Sequence, residues 1–199
     1  MTVVSHRGRV RGGGVPSSAE GFARVTQFGY GLEIDIRLRD DELVIAHDHA
    51  DVEAATRLSE LLSLLEPGQL LLLNVKEDGL ATELAGIQNA LLPHTWFAFD
   101  MSVPQTLQYR DAHLPWLGRL SPYESGLPEL EPSGYLLDFL DRPEWLRTTT
   151  SVKRDSTVFM IAPELHGLDP WDAETCGSFH EKHPHVSVVT DYPEIWAGV

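Results

Sequence analysis

Two histidines and two carboxylates near the N-terminus are the residues of this 199-residue chain best suited to chemistry. Glu33 and Asp35 belong to segment 32–36, where apolar and charged residues alternate with the period of a β-strand. Both carboxylates therefore lie on one face of the strand. Burying such a pair is unfavourable without a cation, so it predicts a site for a hard divalent metal ion. His6 and His47 can exchange protons near neutral pH, and the four residues together favour metal-assisted phosphodiester chemistry.

The elements that must position these residues alternate along the chain. Eight short apolar segments are predicted as β-strands, at 2–5, 32–36, 70–75, 95–99, 116–120, 135–139, 157–161 and 186–190. Helices are predicted at 17–28, 56–65, 81–92, 104–112 and 143–149, and a loop replaces a helix near 122–132. A turn at 40–42 and a short returning strand at 43–46 lead to His47.

Eight strand–helix units predict an α/β fold, a single compact (β/α)8 TIM barrel spanning residues 1–199. Its helices must be short, because about 200 residues is near the lower limit for this fold. A partly open α/β sheet is the alternative.

Barrel enzymes bind their substrates at the carboxyl ends of the strands. In this chain polar residues lie in or just after the carboxyl-terminal part of every predicted strand, namely His6, Arg7, Glu33, Asp35, Asn74, Lys76, Asp100, Arg119, Ser121, Asp138, Glu164 and Asp191. Strands commonly end in charged residues where they reach solvent. That tendency accounts for some of these residues, but it poorly explains polar residues at all eight strand ends. The planar donors of Arg7 suit phosphate oxygens.

The sequence resembles the glycerophosphodiester phosphodiesterase family. That family has His-Arg-Gly on its first strand, Glu-x-Asp on its second and His-Asp after a hairpin, matched here at 6–8, 33–35 and 47–48. Three matches in this order are specific, and the likeness is strong over about 80 residues and looser as far as 190–193. The resemblance implies a phospholipase C-like barrel that cleaves a small glycerophosphodiester-like substrate, with His6 and His47 as acid and base.

The resemblance also implies that Lys76 contacts the phosphate and that a third metal ligand stands two residues before it. Asn74 occupies that position instead of the usual glutamate, and its amide oxygen can bind Mg²⁺ or Ca²⁺ without adding charge. Asp100 or Glu164 could donate in its place. Similarity to an uncharacterised bacterial branch of the superfamily places Asp100, Arg119, Glu124 and Glu164 in the substrate pocket, and Asp138 is expected there from its position at a strand end.

Composition narrows the partners and the compartment. A formal net charge of −15 argues against a nucleic acid partner. No segment approaches the roughly 20 apolar residues that a membrane span requires, and no signal peptide is evident. Cys176 is the only cysteine, so we expect a reducing cytoplasm. The expected partner is a small-molecule phosphodiester.

Other functions remain open at this stage. A catalytically weak or inactive barrel that serves as a binding protein is favoured by Asn74. A barrel enzyme of different chemistry, such as a sugar-modifying enzyme, would use Asp100, Asp138 and Glu164 as its acid–base set. For a phosphodiesterase, attack by water and attack by a substrate hydroxyl, which gives a cyclic phosphate, are both possible routes.

Two further motifs are set aside. The histidines at 180, 183 and 185 have metal-like spacing but precede the last strand, where a solvated loop is expected. Glycines 12–14 are expected to form a flexible lid near His6.

Overall fold

A computed structural model describes residues 2–10, 15–148 and 155–198. Glycines 12–14, the proposed lid, lie outside these residues, as does the end of the helix expected over 143–149. No helix within the described residues is long and apolar enough to span a membrane.

The described residues form strands and short helices in alternation. The strands are β1 (Val3–His6), β2 (Gly31–Arg39), β3 (Glu42–Ile45), β4 (Thr56–Arg57), β5 (Leu70–Val75), β6 (Thr95–Phe99), β7 (Leu117–Leu120), β8 (Gly134–Leu137), β9 (Val158–Ile161) and β10 (Val186–Thr190). The α-helices are α1 (Ala19–Phe28), α2 (Leu58–Leu64), α3 (Ala81–Gly86), α4 (Gln88–Leu91), α5 (Val103–Asp111), α6 (Trp145–Thr148), α7 (Ala173–Lys182) and α8 (Pro193–Ala197). Short 3₁₀ segments lie at His49–Ala54, Pro128–Leu130 and Pro163–His166.

Eight of the strands form a closed parallel barrel in the order β1, β2, β5, β6, β7, β8, β9 and β10, with β10 pairing to β1. The contact between β6 and β7 rests on a single parallel bridge between Ala98 and Trp116. There the Ala98 N–H donates to the Pro115 carbonyl at 3.0 Å. The closed circle confirms the (β/α)8 barrel with short helices, and the partly open sheet is wrong.

An antiparallel hairpin extends from the barrel after β2. Asp40 and Asp41 turn the chain with φ of 50° and 63°, backbone angles that aspartate tolerates better than most residues. Strand β3 then pairs back on β2, with Ile45 opposite Ile36. The predicted turn and returning strand are therefore confirmed. Residues 56–57, expected to begin a helix, instead form β4 beside β3.

Several helices differ from expectation. The helix predicted over 81–92 is interrupted at Ile87, and α7 lies where no helix was expected. The Asp172 carboxylate caps α7 by accepting from the Thr175 N–H at 2.8 Å. His180 lies in the last turn of α7, so the loop expected there is wrong at that residue. This helix is hard to recognise in the sequence because Cys176 is its one fully buried side chain.

The apolar core has one layer inside the barrel and one between the barrel and its helices, and β2 contributes apolar side chains to the second only. The inner layer draws on all barrel strands except β2, with Val4, Leu72, Phe99, Leu117, Leu136, Phe159, Ile161 and Val189. The outer layer packs Leu32, Ile34 and Ile36 of β2 against the helices. Because side chains alternate along a strand, Glu33 and Asp35 face the inside of the barrel.

Gly118 in β7 provides a test of this packing. A Cβ at residue 118 would collide with the backbone carbonyl of Gly126, so Gly118→Ala should destabilise the fold by about 1–3 kcal/mol. Gly86→Ala is the matched control, because a Cβ there meets nothing within 4 Å and alanine favours the helix by about 0.5–1 kcal/mol. Thermal unfolding followed by circular dichroism measures both. Equal stability of the two variants would contradict this packing of β7.

Candidate active site

A cavity of about 240 Å³ lies at the carboxyl ends of the barrel strands. Its apolar floor consists of Phe99, Leu136, Ile161, Leu165 and Val189. Its polar wall consists of His6, Arg7, Glu33, His47, Asn74, Lys76, Asp100, Asp138 and His166. All of these polar residues except His166 were assigned to the site from the sequence, so the fold brings most of the predicted set together.

The two carboxylates of β2 are buried in different surroundings. Asp35 does not line the cavity but lies behind it, with no exposed surface. One of its oxygens is 2.7 Å from Arg7 Nε and the other is 3.2 Å from Lys76 Nζ. Glu33 is 1 % exposed and accepts a hydrogen bond from the Arg7 backbone N–H at 3.3 Å. Asp35 thus pairs with both cationic side chains.

Glu33 titrates unusually in this environment. Burial raises its pKa to about 7; the neighbouring Asp35 adds to the rise, and His6, whose Nε2 lies 3.8 Å from Glu33 Oε2, opposes it. The cause is the loss of solvent around a carboxylate that has too little nearby positive charge. A cation bound at Glu33 would supply that charge.

Asn74 completes this part of the site. It pairs with Asp35 across β2 and β5, and its side chain hydrogen bonds to Glu33. Its Oδ1 is buried without a hydrogen-bond partner among the described residues. A free buried amide oxygen beside two carboxylates fits a hard cation such as Mg²⁺ or Ca²⁺. Within the same residues there is no group of three or more His, Cys, Asp or Glu side chains that could hold a metal, so such a cation would depend on the amide.

The ring of His6 is oriented by a carboxylate from the last strand. Its Nδ1 lies 2.7 Å from Asp191 Oδ1, which favours a proton on Nδ1 and leaves Nε2 free to exchange protons. Burial would raise the pKa of Asp191, but the hydrogen bond and charge of His6 and the charge of Arg9 outweigh it and lower the pKa. Glu164 holds the backbone of Asp191, since its carboxylate accepts from the Asp191 N–H at 3.2 Å.

His47 is held differently. Arg37 donates to the His47 carbonyl from Nε at 3.1 Å and from a terminal nitrogen at 2.9 Å, which fixes the backbone after the hairpin. The ring itself contacts the adjacent Asp48 carboxylate at 2.9 Å, and its side chain is 42 % exposed. His6 is therefore the more firmly oriented histidine, and His47 lies where the cavity meets solvent.

A second polar group lies across the cavity. His166 Nε2 is 2.7 Å from Asp138 Oδ1, and the Arg119 guanidinium pairs with Asp100 and lies 3.5 Å from Glu124. Burial would lower the pKa of Arg119, but Asp100 and the other carboxylates raise it, so the side chain keeps its charge.

Arg119 and Glu124 line an adjoining cavity of about 280 Å³ that shares the wall of Phe99, Asp100 and Leu136 with the first. Glu164, also expected at the substrate pocket, lines neither of these two cavities.

Sequence reasoning left His166 out of the site and recorded Asp191 as a strand-end residue without a role. The available signal was their position, Asp191 directly after the eighth predicted strand and His166 five residues after the seventh. Neither residue belongs to a short motif that reveals its partner, because each partner comes from a distant part of the chain.

Comparison with known proteins identifies the fold. No protein-family model matches the chain, and no curated protein matches it. Among solved structures, a glycerophosphodiester phosphodiesterase from Agrobacterium tumefaciens is similar with a TM-score of 0.67 and 15 % identity, covering 100 % of this chain and 99 % of its own. One from Thermotoga maritima has a TM-score of 0.65 and 13 % identity, with 100 % and 97 % covered. This chain has their fold. At such identities the likeness establishes the architecture, and the chemistry has to be argued from the residues of the cavity.

Proposed function

We propose that this protein is a metal-dependent phosphodiesterase that cleaves a small phosphodiester with a hydroxyl-bearing head group, such as a glycerophosphodiester. One observation carries the proposal. A single cavity holds the histidine oriented by Asp191, two phosphate-compatible cations and a buried acidic residue beside a free amide oxygen. The shared fold with solved glycerophosphodiester phosphodiesterases supports this class of reaction.

Glu33 and Asn74 line the cavity and would hold the divalent ion, Mg²⁺ or Ca²⁺. Asp35 would be the third ligand once one of its oxygens exchanges its cationic side chain for the ion. When bound, the ion would neutralise negative charge on the phosphate. Arg7 and Lys76 line the same cavity and would bind the non-bridging phosphate oxygens. Their contacts with Asp35 keep both side chains at the cavity wall before any substrate arrives.

Proton transfer would fall to the two histidines. Nε2 of His6 is the free ring nitrogen of a partly buried, oriented imidazole, suited to take a proton from the attacking oxygen or to return one to the leaving oxygen. His47, at the rim of the cavity, would exchange a proton with the other of these two oxygens. The attacking group is water or a hydroxyl of the substrate itself. Cys176, the only cysteine in the chain, is buried, which fits a reducing cytoplasm as the compartment.

A binding protein without catalytic activity is the second candidate. The observation in its favour is that Asp35 contacts Arg7 and Lys76 with its two oxygens, so the charge of this carboxylate is compensated without a metal. Such a barrel would bind a phosphate ester through the same cations but would not cleave it.

An activity assay separates these candidates. We expect the protein to hydrolyse bis-(p-nitrophenyl) phosphate or a glycerophosphodiester, to lose this activity in EDTA and to regain it with added Mg²⁺, Mn²⁺ or Ca²⁺. Activity that is unchanged by EDTA would contradict metal dependence. Binding of glycerol 3-phosphate without turnover of either diester would favour the binding protein.

A further inference from the structure

His166 is an oriented histidine that the proposed reaction does not use. Its Nε2 contacts Asp138 Oδ1 at 2.7 Å, and its ring packs edge-on against Phe139 with centroids 4.7 Å apart. Asp138 is 6 % exposed and also accepts from the Leu140 N–H at 3.2 Å. The imidazole is therefore held at two sides. Its Nδ1 has no hydrogen-bond partner among the described residues.

The position of Asp138 and His166 in the barrel indicates which part of a substrate they would contact. Asp138 follows β8 and His166 follows β9, whereas the side chains of Arg7 and Lys76 both contact Asp35 of β2. In the closed order of strands, β8 and β9 lie opposite β2 and β5. Both groups line the same cavity of about 240 Å³. A substrate whose phosphate binds at Arg7 and Lys76 therefore extends its alcohol portion toward Asp138 and His166.

The size of the cavity agrees with this arrangement. A volume of about 240 Å³ corresponds to roughly eight water molecules at ~30 Å³ each, enough for a phosphate with a short alcohol attached. Asp138 can accept a hydrogen bond from a substrate hydroxyl, and His166 Nδ1 can accept or donate one. Arg119 Nε, 3.9 Å from Asp138 Oδ2, offsets the carboxylate charge. A plain alkyl group would leave these polar atoms without partners.

We propose that His166 and Asp138 bind the hydroxyl groups of the substrate's alcohol portion and thereby select polyol phosphodiesters over alkyl or aryl ones. This inference rests on the proposed function, because it assumes that the phosphate binds at Arg7 and Lys76. It makes His166 and Asp138 specificity-determining residues, and Asp138 also fixes the His166 ring.

Two phosphate monoesters test the proposal by binding alone, so the result does not depend on the route of the reaction. Inhibition constants, or dissociation constants from calorimetry, are measured for glycerol 3-phosphate and propyl phosphate, which differ only in two hydroxyls. We expect the wild-type protein to bind glycerol 3-phosphate about 10- to 100-fold more tightly. His166→Asn should remove most of this preference and leave the affinity for propyl phosphate unchanged.

Two further variants sharpen the experiment. In His166→Gln the longer amide can still donate to Asp138, so part of the preference should remain. His113→Asn is the matched control, since His113 is exposed in the loop before β7, at the other end of the barrel, and asparagine tolerates its φ of 54°. Circular dichroism of each variant reports whether it is folded. If His166→Asn fails to fold, Asp138→Asn replaces it, with the same loss of preference expected.

The outcomes are distinct. Equal binding of the two monoesters by wild type, or an equal loss of affinity for both in His166→Asn, would overturn the proposal. If both monoesters bind with the expected preference but no phosphodiester is cleaved, the proposed function fails while recognition of the alcohol stands.

Discussion

Replacing His6 with alanine should lower kcat by about 10²–10⁴-fold, the usual contribution of a positioned proton donor or acceptor. His6 lines the cavity, and Asp191 orients its ring at 2.7 Å. We expect a loss in the same range for His47→Ala if it serves the other oxygen. Steady-state kinetics on the best phosphodiester found, with the divalent ion saturating, measure the effect.

Asp191→Asn tests the orientation of the ring separately from its presence. An amide nitrogen facing His6 Nδ1 would favour the tautomer with the proton on Nε2, so kcat should fall while folding is retained. His113→Asn again provides a distant histidine control. Turnover close to that of wild type in His6→Ala would show that this imidazole transfers no proton in the reaction.

Replacing Glu33 with glutamine should abolish measurable binding of divalent ions and, with it, activity. Glutamine preserves the shape of Glu33 but removes the charge of a residue that is 1 % exposed. Asn74→Asp should have the opposite effect and tighten binding by about tenfold or more, because affinity rises with the number of charged ligands. Calorimetric titration with Mg²⁺, Mn²⁺ and Ca²⁺ measures both changes.

Glu60→Gln, in α2, is the matched control because the Glu60 side chain is 57 % exposed. Thermal unfolding should show that Glu33→Gln is folded, since removing a buried carboxylate whose pKa burial raises to about 7 relieves desolvation. Unchanged affinity in Asn74→Asp would place Asn74 outside the metal site. Absence of binding in wild type would instead favour the binding protein.

Local patterns in the sequence were sufficient for the strand–helix units of the barrel and for one side of its cavity, whereas closure of the sheet was decided by the structure. The alternation in β2 predicts that Glu33 and Asp35 share a face, because successive side chains of a strand point in opposite directions whatever surrounds them. The spacing of apolar segments likewise predicts eight strands, and His6 and Asn74 follow from their places at strand ends. The hairpin before His47 is also local, since its turn depends on a few consecutive residues.

Tertiary structure alone decided the partners of these residues. Closure of the barrel brings Asp191 from the last strand to His6, and it places His166 beside Asp138 across the cavity. Asp35 proves to contact Arg7 and Lys76, and Glu164 supports Asp191 behind the cavity wall. These contacts join residues 27 to 185 positions apart. Sequence periodicity reports which way a side chain points relative to its own strand, whereas the packing of the whole chain determines what it meets.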